Sequence, residues 1–303
     1  MSPDLKLLLQ FLYNACVRTG HKPEVETIYD IYNASLFQLA EIADQEKMGE
    51  VKRMLRGLVQ IGATCYLQKG DQNPTEFDFR ANYDYYLRHW PPTPPEGLEK
   101  PDHLLDCVYW FQREGATKAL KRVYVHLAHP ISTTGIVVLE VLVPKLETLD
   151  GFQKVKMFGP VSGRNRNDSI VAYCSTAAAQ TGVVDAVVAL GNRCVQNDVP
   201  NFVRRVAPGV GVADEPPQIP VFEGEGKRQS FGMFFSKLIC AAWKTYKEKG
   251  KTSEQEFLDL VQVALQTAKI NPDTPHEHLD FKTLEAMGAG FPGTLNKALS
   301  AVV

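Results

Sequence analysis

Two lysines spaced by two, Lys154 and Lys156, two arginines at the same spacing, Arg164 and Arg166, and the alternating run Arg122, Tyr124, His126 all fall between residues 121 and 173. The stretches that carry them, KRVYVH and FQKVKMFGPVSGRNRNDSIVAY, otherwise have the composition of buried strand. A strand places residues i and i+2 on one face, so Lys154 and Lys156 project side by side. By the same alternation Arg122, Tyr124 and His126 share a face while Val123 and Val125 enter the core. Lysine and arginine are rarely buried without a partner, and two ammonium groups held this close repel. Such a pair is tolerated facing solvent, neutralised by carboxylates, or holding an anion, and in the last case one lysine's pKa is lowered. The nearby acids Glu147, Asp150 and Asp168 are fewer than the basic groups between 152 and 166. A phosphate or carboxylate ligand supplies the missing charge; a solvated outer strand face is the plainer alternative.

The turn GRNRND at 163–168 adds arginine forks suited to bidentate phosphate contact, and its glycine lets backbone N–H groups approach the same oxygens. A hairpin tip with solvated arginines remains the alternative. The segment RRVAPGVGVADEPP at 204–217 carries Gly209 and Gly211, but neither GxGxxG nor GxxxxGK[ST] is present, so it is no nucleotide fingerprint. It is expected to shape the rim of the site, with Lys227 and Arg228 completing the anion pocket and Ser230 capping the following helix. There is no GxSxG motif for nucleophilic catalysis. The cysteines, 16, 65, 107, 174, 194 and 240, are scattered without metal spacing and are expected as core thiols. His276 and His278 sit in a polar PHEH stretch with no third ligand, and no metal is expected.

These residues need a frame. With 303 residues, 44% hydrophobic and 22% charged, the chain has the composition of a globular protein, and a net charge of −2 gives no general attraction to nucleic acid or acidic membrane. The first twenty residues lack a basic start, apolar run and small-residue cleavage site, and no window reaches a membrane span, so a cytoplasmic protein is expected. Helical spacing occupies 4–18 and 34–62, the latter broken near Asp44. Residues 61–90 turn aromatic and β-like before the proline-rich WPPTPPEG, a linker or the wall of a peptide groove. A helix is expected over 102–115. Strands are expected at RVYVHLA, IVVLEVLVP, QKVKMFGP and SIVAYCS. Helices follow at 176–192, 236–248 and 253–268, the last opened by a Ser253/Glu256 capping box. The order predicts an α+β fold, a largely antiparallel central sheet flanked by N-terminal and C-terminal helices. A helical region over 1–100 with an aromatic and proline-rich connection precedes an α+β core over 101–303.

The pieces RVYVHLA, FQKVK, RNRNDSIVAYC, APGVGVADEP and QSFG, in that order over about residues 118–235, resemble the HopA-type family. That family is named for a bacterial type III effector and is found also as a stand-alone enzyme in the biosynthesis of certain lanthipeptides and thioamide-containing peptides. The resemblance implies removal of phosphate from phosphoserine or phosphothreonine by β-elimination, leaving dehydroalanine or dehydrobutyrine, with no metal or cofactor and with a kinase-like partner adding the phosphate. Phosphothreonine lyases of bacterial pathogens are more distantly similar. By the resemblance Lys156 is the base and His126 protonates the departing phosphate. Tyr124 or Lys154 binds the carbonyl oxygen, and Arg122, Arg164, Arg166 and Arg228 bind phosphate. Tyr124 stands where the pathogen lyases carry a lysine, and QSFG is followed by Met233 where the family often has arginine.

The expected function is therefore a carbon–oxygen lyase acting on a phosphorylated precursor peptide, the helical and aromatic N-terminal part gripping that peptide or the kinase. A non-catalytic phosphopeptide-binding subunit and a type III effector acting on a host phosphoprotein are the alternatives. Phosphate recognition alone accounts for the arginines but not for a lysine pair facing a Tyr/His strand.

Overall fold

The computed structural model describes residues 1–33, 44–70, 72–89, 94–224, 229–277 and 293–302. The protein is α+β. Its strands are β1 Tyr66–Gln68, β2 Thr75–Glu76, β3 Val108–Gln112, β4 Lys121–Val125, β5 Phe152–Phe158, β6 Ile170–Cys174, β7 Arg204–Ala207 and β8 Val210–Asp214, in one sheet ordered β2-β1-β3-β5-β6-β4-β8-β7. The central pairings β1–β3, β3–β5, β5–β6 and β6–β4 are all antiparallel.

The chain divides into two compact units: one comprises 1–33, 201–204 and 213–303, the other 34–200 and 205–212. In the first unit the opening helices α1 (Pro3–Thr19) and α2 (Val25–Asn33) share an aromatic core with the late helices α9 (Phe231–Glu248) and α10 (Glu254–Thr267). Tyr13 packs against Trp243, Tyr246 and Phe257, and Tyr32 against Phe231. The apolar stripe of each helix is too narrow to form a core alone, so sequence-distant helices complete it. Ser230 caps α9 by accepting from Met233 N–H at 3.3 Å, and Ser253 and Glu256 form the expected box at the start of α10.

In the second unit one face of the sheet carries Tyr109, Phe111, Val123, Val125, Val155, Met157 and Ala172 into a core shared with α3 (Asp44–Ile61), α6 (Ile131–Leu142) and α8 (Ala177–Val188). Helix α3 starts at the break expected near Asp44; Leu36, Leu39 and Ile42 lie outside the described residues, as do Trp90–Thr93 of the proline-rich stretch.

Three elements differ from the sequence expectation. The run IVVLEVLVP belongs to α6 rather than to a strand. This helix is buried around most of its circumference, which erases the 3.6-residue polar interval and leaves only a β-branched composition to go by. The helix expected over 102–115 is a single turn, α5 (Pro101–Leu105), followed by β3. The aromatic segment before His89 is helix α4 (Phe79–Arg88), started by Asp78, whose carboxylate accepts from Ala81 N–H at 2.9 Å.

Candidate active site

The second face of the same sheet gathers the basic residues. Trp110 lies opposite Lys156, Lys156 opposite Val171 and Val171 opposite Tyr124. One step along, Gln112 lies opposite Lys154, Lys154 opposite Tyr173, and Tyr173 opposite Arg122. Cross-strand partners share a face, so the sheet brings Lys154, Lys156, Arg122 and Tyr124 together from β5 and β4 across the intervening β6. A register shift between Phe152 and Lys154 makes this possible. Phe152 points into the core and strict alternation would send Lys154 after it; the extra residue, Gln153, turns the lysines to the opposite face. Gln153 is pinned there, accepting from Thr117 N–H at 2.6 Å and donating to Ser175 Oγ at 3.2 Å.

Cations and rings alternate along this face. Arg122 lies 5.1 Å from the Tyr173 ring centre, Lys154 Nζ 4.9 Å from Tyr173 and 5.0 Å from Trp110. Lys156 Nζ is 5.7 Å from Trp110 and 4.7 Å from Phe158, and Arg166 closes the series 4.1 Å from Phe158. Trp110 stacks on Tyr173 with ring centres 5.8 Å apart, and its indole N–H donates to Gln68 Oε1 at 2.8 Å. Each ring face offers roughly 0.5–2 kcal/mol to a cation, which offsets part of the loss of water that four buried or half-buried cations suffer.

Burial brings the Lys156 pKa down to about 8. Asp168 opposes that fall, while Arg166, Arg122 and Lys154 add to it. Asp168 is itself held by Arg166 through two hydrogen bonds, Nε to Oδ1 at 2.8 Å and Nη2 to Oδ2 at 3.2 Å. Replacing Asp168 by Asn is expected to move the Lys156 titration below its wild-type midpoint near pH 8, as followed by NMR of the lysine Cε. An unchanged midpoint would show that Asp168 does not act on Lys156.

His126 follows β4 and is buried, its Nδ1 3.2 Å from the Asp198 carbonyl oxygen. A carbonyl only accepts, so Nδ1 carries the hydrogen and Nε2 of the neutral ring is a lone pair. Burial pulls its pKa below the ordinary 6.5 against the opposing pull of Asp198 and Asp168.

Arg164 does not join this face. The turn after β5 carries it into a separate cavity with Glu50, Arg53 and His129. Arg228 lies outside the described residues, as does His278. Glu147 and Asp150 are exposed, Asp150 pairing with Arg113 at 3.5 Å, and His276 pairs with Glu277. Among the described residues no His/Cys/Asp/Glu group is arranged to hold a metal, and no helix is long and apolar enough to cross a membrane. Trp110, Phe158 and the Asp198 carbonyl are site features that sequence reasoning missed. The alternation in VYWFQ, Trp110 and Gln112 against Tyr109 and Phe111, is the signal that finds the first.

The arrangement can bind a polyanion over the lysines and arginines and, with one amine depressed to about 8, remove a proton from a bound molecule. A model of the HopA1 effector protein family matches residues 107–277. No curated protein sequence matches the chain. Among solved structures, an effector protein from Pseudomonas syringae pv. tomato strain DC3000 superposes with a TM-score of 0.59 at 15% identity, over 91% of this chain and 98% of that one. An effector from Pseudomonas syringae pv. syringae strain 61 gives 0.59 at 11% identity, over 92% and 99%. At such identities the likeness speaks for the fold alone.

Proposed function

Because the chain belongs to the HopA1 effector protein family, we propose that its sheet face is the active site of a phosphoserine/phosphothreonine lyase. The observation that carries the reading is Lys156, an amine set among rings and brought down to about 8 inside a cationic cluster. A binding module needs the cations; it does not need an amine prepared to lose its proton.

In the proposed reaction neutral Lys156 takes the Cα proton of the phosphorylated residue. The C–H electron pair becomes the Cα=Cβ double bond as the Cβ–O bond breaks, its electrons staying on the phosphate oxygen. Tyr124 or Lys154 supports the carbonyl oxygen while the negative charge passes through it. Arg122 and Arg166 hold the phosphate, Arg166 steadied by Asp168. His126 delivers a proton to the leaving oxygen, for which Nε2 must be protonated. A bound phosphate dianion favours that form by supplying the counter-charge that burial denies it. The proposed substrate is a precursor peptide phosphorylated by a kinase-like partner. Membership of an effector family favours a second substrate, a phosphorylated host protein.

Mass spectrometry of phosphoserine and phosphothreonine peptides incubated with the protein, without metal or nucleotide, tests the reading; loss of phosphoric acid is expected. Intact phosphopeptide that still binds would replace the lyase by a binding module. The pH profile separates the two proton transfers. A neutral Lys156 with a protonated His126 makes kcat/KM level between the histidine's pKa, below 6.5, and about 8, and falling above. His126→Asn should remove that alkaline fall, so that the rate climbs to a plateau beyond pH 8. An alkaline fall that persists in the variant would take the acid role away from His126.

A further inference from the structure

Helix α1 turns Leu5, Leu9 and Leu12 into the core of the first unit. Two residues on from the first two of these, about 200° round the helix, Leu7 and Phe11 face outward. They are 70% and 58% exposed, and with Val17 at 51% they are the three most exposed large apolar side chains among the described residues. Asp4, Leu7, Phe11, Asn14 and Arg18 recur at alternating steps of three and four, and all five are exposed. That is the spacing of a coiled-coil seam, placed on the side of the helix away from its own core. A groove of about 810 Å³ opens along it, walled by Leu7, Leu8 and Phe11 and by Glu254 of α10. The Glu254 carboxylate is already held by Gln10 Nε2 at 2.7 Å and Asn14 Nδ2 at 3.3 Å. An apolar strip bordered by polar groups in this way marks a contact surface.

The ends of the seam identify what covers it. Asp4 and Arg18 lie seven positions to either side of Phe11, and the 14 residues between them span about 21 Å of helix. Arg18 donates from Nε to the Asn14 carbonyl at 3.2 Å; among the described residues neither it nor Asp4 has an ion-pair partner. A surface that matches both must present a cation at one end, an anion at the other and apolar side chains between, at that separation. The same helix run in the opposite direction does so. We propose that the chain forms a two-fold symmetric dimer in which α1 packs antiparallel on α1 of a second copy, Phe11 meeting its counterpart on the axis and Asp4 meeting Arg18 of the partner subunit at each end. In this register Leu7 faces Ala15 of the partner subunit, and Leu8 faces Asn14 of the partner subunit. The contact is isologous, so each pairing occurs twice. A parallel arrangement would oppose Asp4 to Asp4 and Arg18 to Arg18, and like charges select against it. Helix α1 has 17 residues and is about 25 Å long. Two such helices with the rims of their grooves bury on the order of 1,000 Å², the lower end of specific interfaces, so a micromolar Kd is expected.

The test is sedimentation equilibrium of the full chain over a range of about 1–100 µM, across which the protein should pass from monomer to dimer. Phe11→Ser alters an exposed side chain and should leave the thermal midpoint unchanged, yet weaken association about a hundredfold because the loss falls at the centre of the interface. Asp4→Lys and Arg18→Glu each turn two attractions into two repulsions and should each weaken the dimer about tenfold. Combined, they restore opposite charges at both ends, and affinity should return to within about threefold of wild type. Each single change opposes the helix dipole and the double variant opposes it twice, so recovery cannot come from a steadier helix. A monomer over the whole range, a dimer that survives Phe11→Ser, or a double variant that associates no more tightly than the singles would overturn the proposal. None of these measurements involves phosphate elimination, so the dimer stands or falls apart from the lyase reading.

Discussion

Replacing Lys156 by alanine is expected to slow phosphate elimination by a factor of about 10²–10⁴, the usual contribution of a positioned general base, while phosphopeptide affinity changes far less. Proton abstraction belongs to the transition state, whereas phosphate is held by a cluster in which Lys156 is one cation among several. The sharper variant is Lys156→Arg. Arginine retains the charge and its place over Trp110 and Phe158 but does not lose a proton near neutral pH, so the rate should fall as far as in the alanine variant with affinity preserved. Single-turnover mass spectrometry beside a binding titration gives both quantities. If the arginine variant kept its rate, Lys156 would be a phosphate ligand and the base would have to be sought elsewhere, with His126 Nε2 the first candidate.

The second large effect concerns the frame. Gly209, in the turn between β7 and β8, has φ +63°, and a Cβ there would meet the Gln196 backbone oxygen at 2.4 Å. Its N–H donates to the Asn197 carbonyl at 3.1 Å and its own carbonyl accepts from His126 N–H at 2.8 Å. Gly209→Ala combines left-handed strain with a clash against backbone, which cannot rotate away, and should remove about 3 kcal/mol or more. For a unit of this size that is a fall in thermal midpoint of roughly 6–12 °C. Gly191 is the control: its φ is +71° but nothing lies within 4 Å of its Cβ position, so Gly191→Ala bears the strain alone. Similar losses in the two would locate the effect in the dihedral rather than in the contact with residue 196.

Much of the candidate site was legible because its signal is local. Alternation along KRVYVH and FQKVK assigns faces, and the structure joins them through the Arg122–Tyr173–Lys154 row. Arg164 and Arg166 looked alike because spacing within a turn carries no face information: there the backbone folds back, and the two side chains part company. Trp110 was hidden by Leu104, Leu105, Val108 and Phe111, whose intervals suit a helix as well as a strand; pairing with β1 and β5 decides the matter, and pairing is not written in the segment itself. The same holds for Ile136–Leu142, where Glu140 is the one polar residue and burial around most of the helix leaves no polar interval to distinguish helix from strand. The antiparallel sheet was expected and found, whereas the closing of the N-terminal helices onto the C-terminal ones rests on aromatic contacts between residues more than two hundred positions apart.

The bulge at Gln153 limits what mutation can do to this strand. Because one inserted residue decides which way Lys154 and Lys156 point, deleting it would exchange the two faces of the strand at a stroke, delivering ammonium groups to the oily side. No gradual series of substitutions crosses that gap. A substitution can change what the strand carries on either face; only an insertion or deletion can change which face carries it.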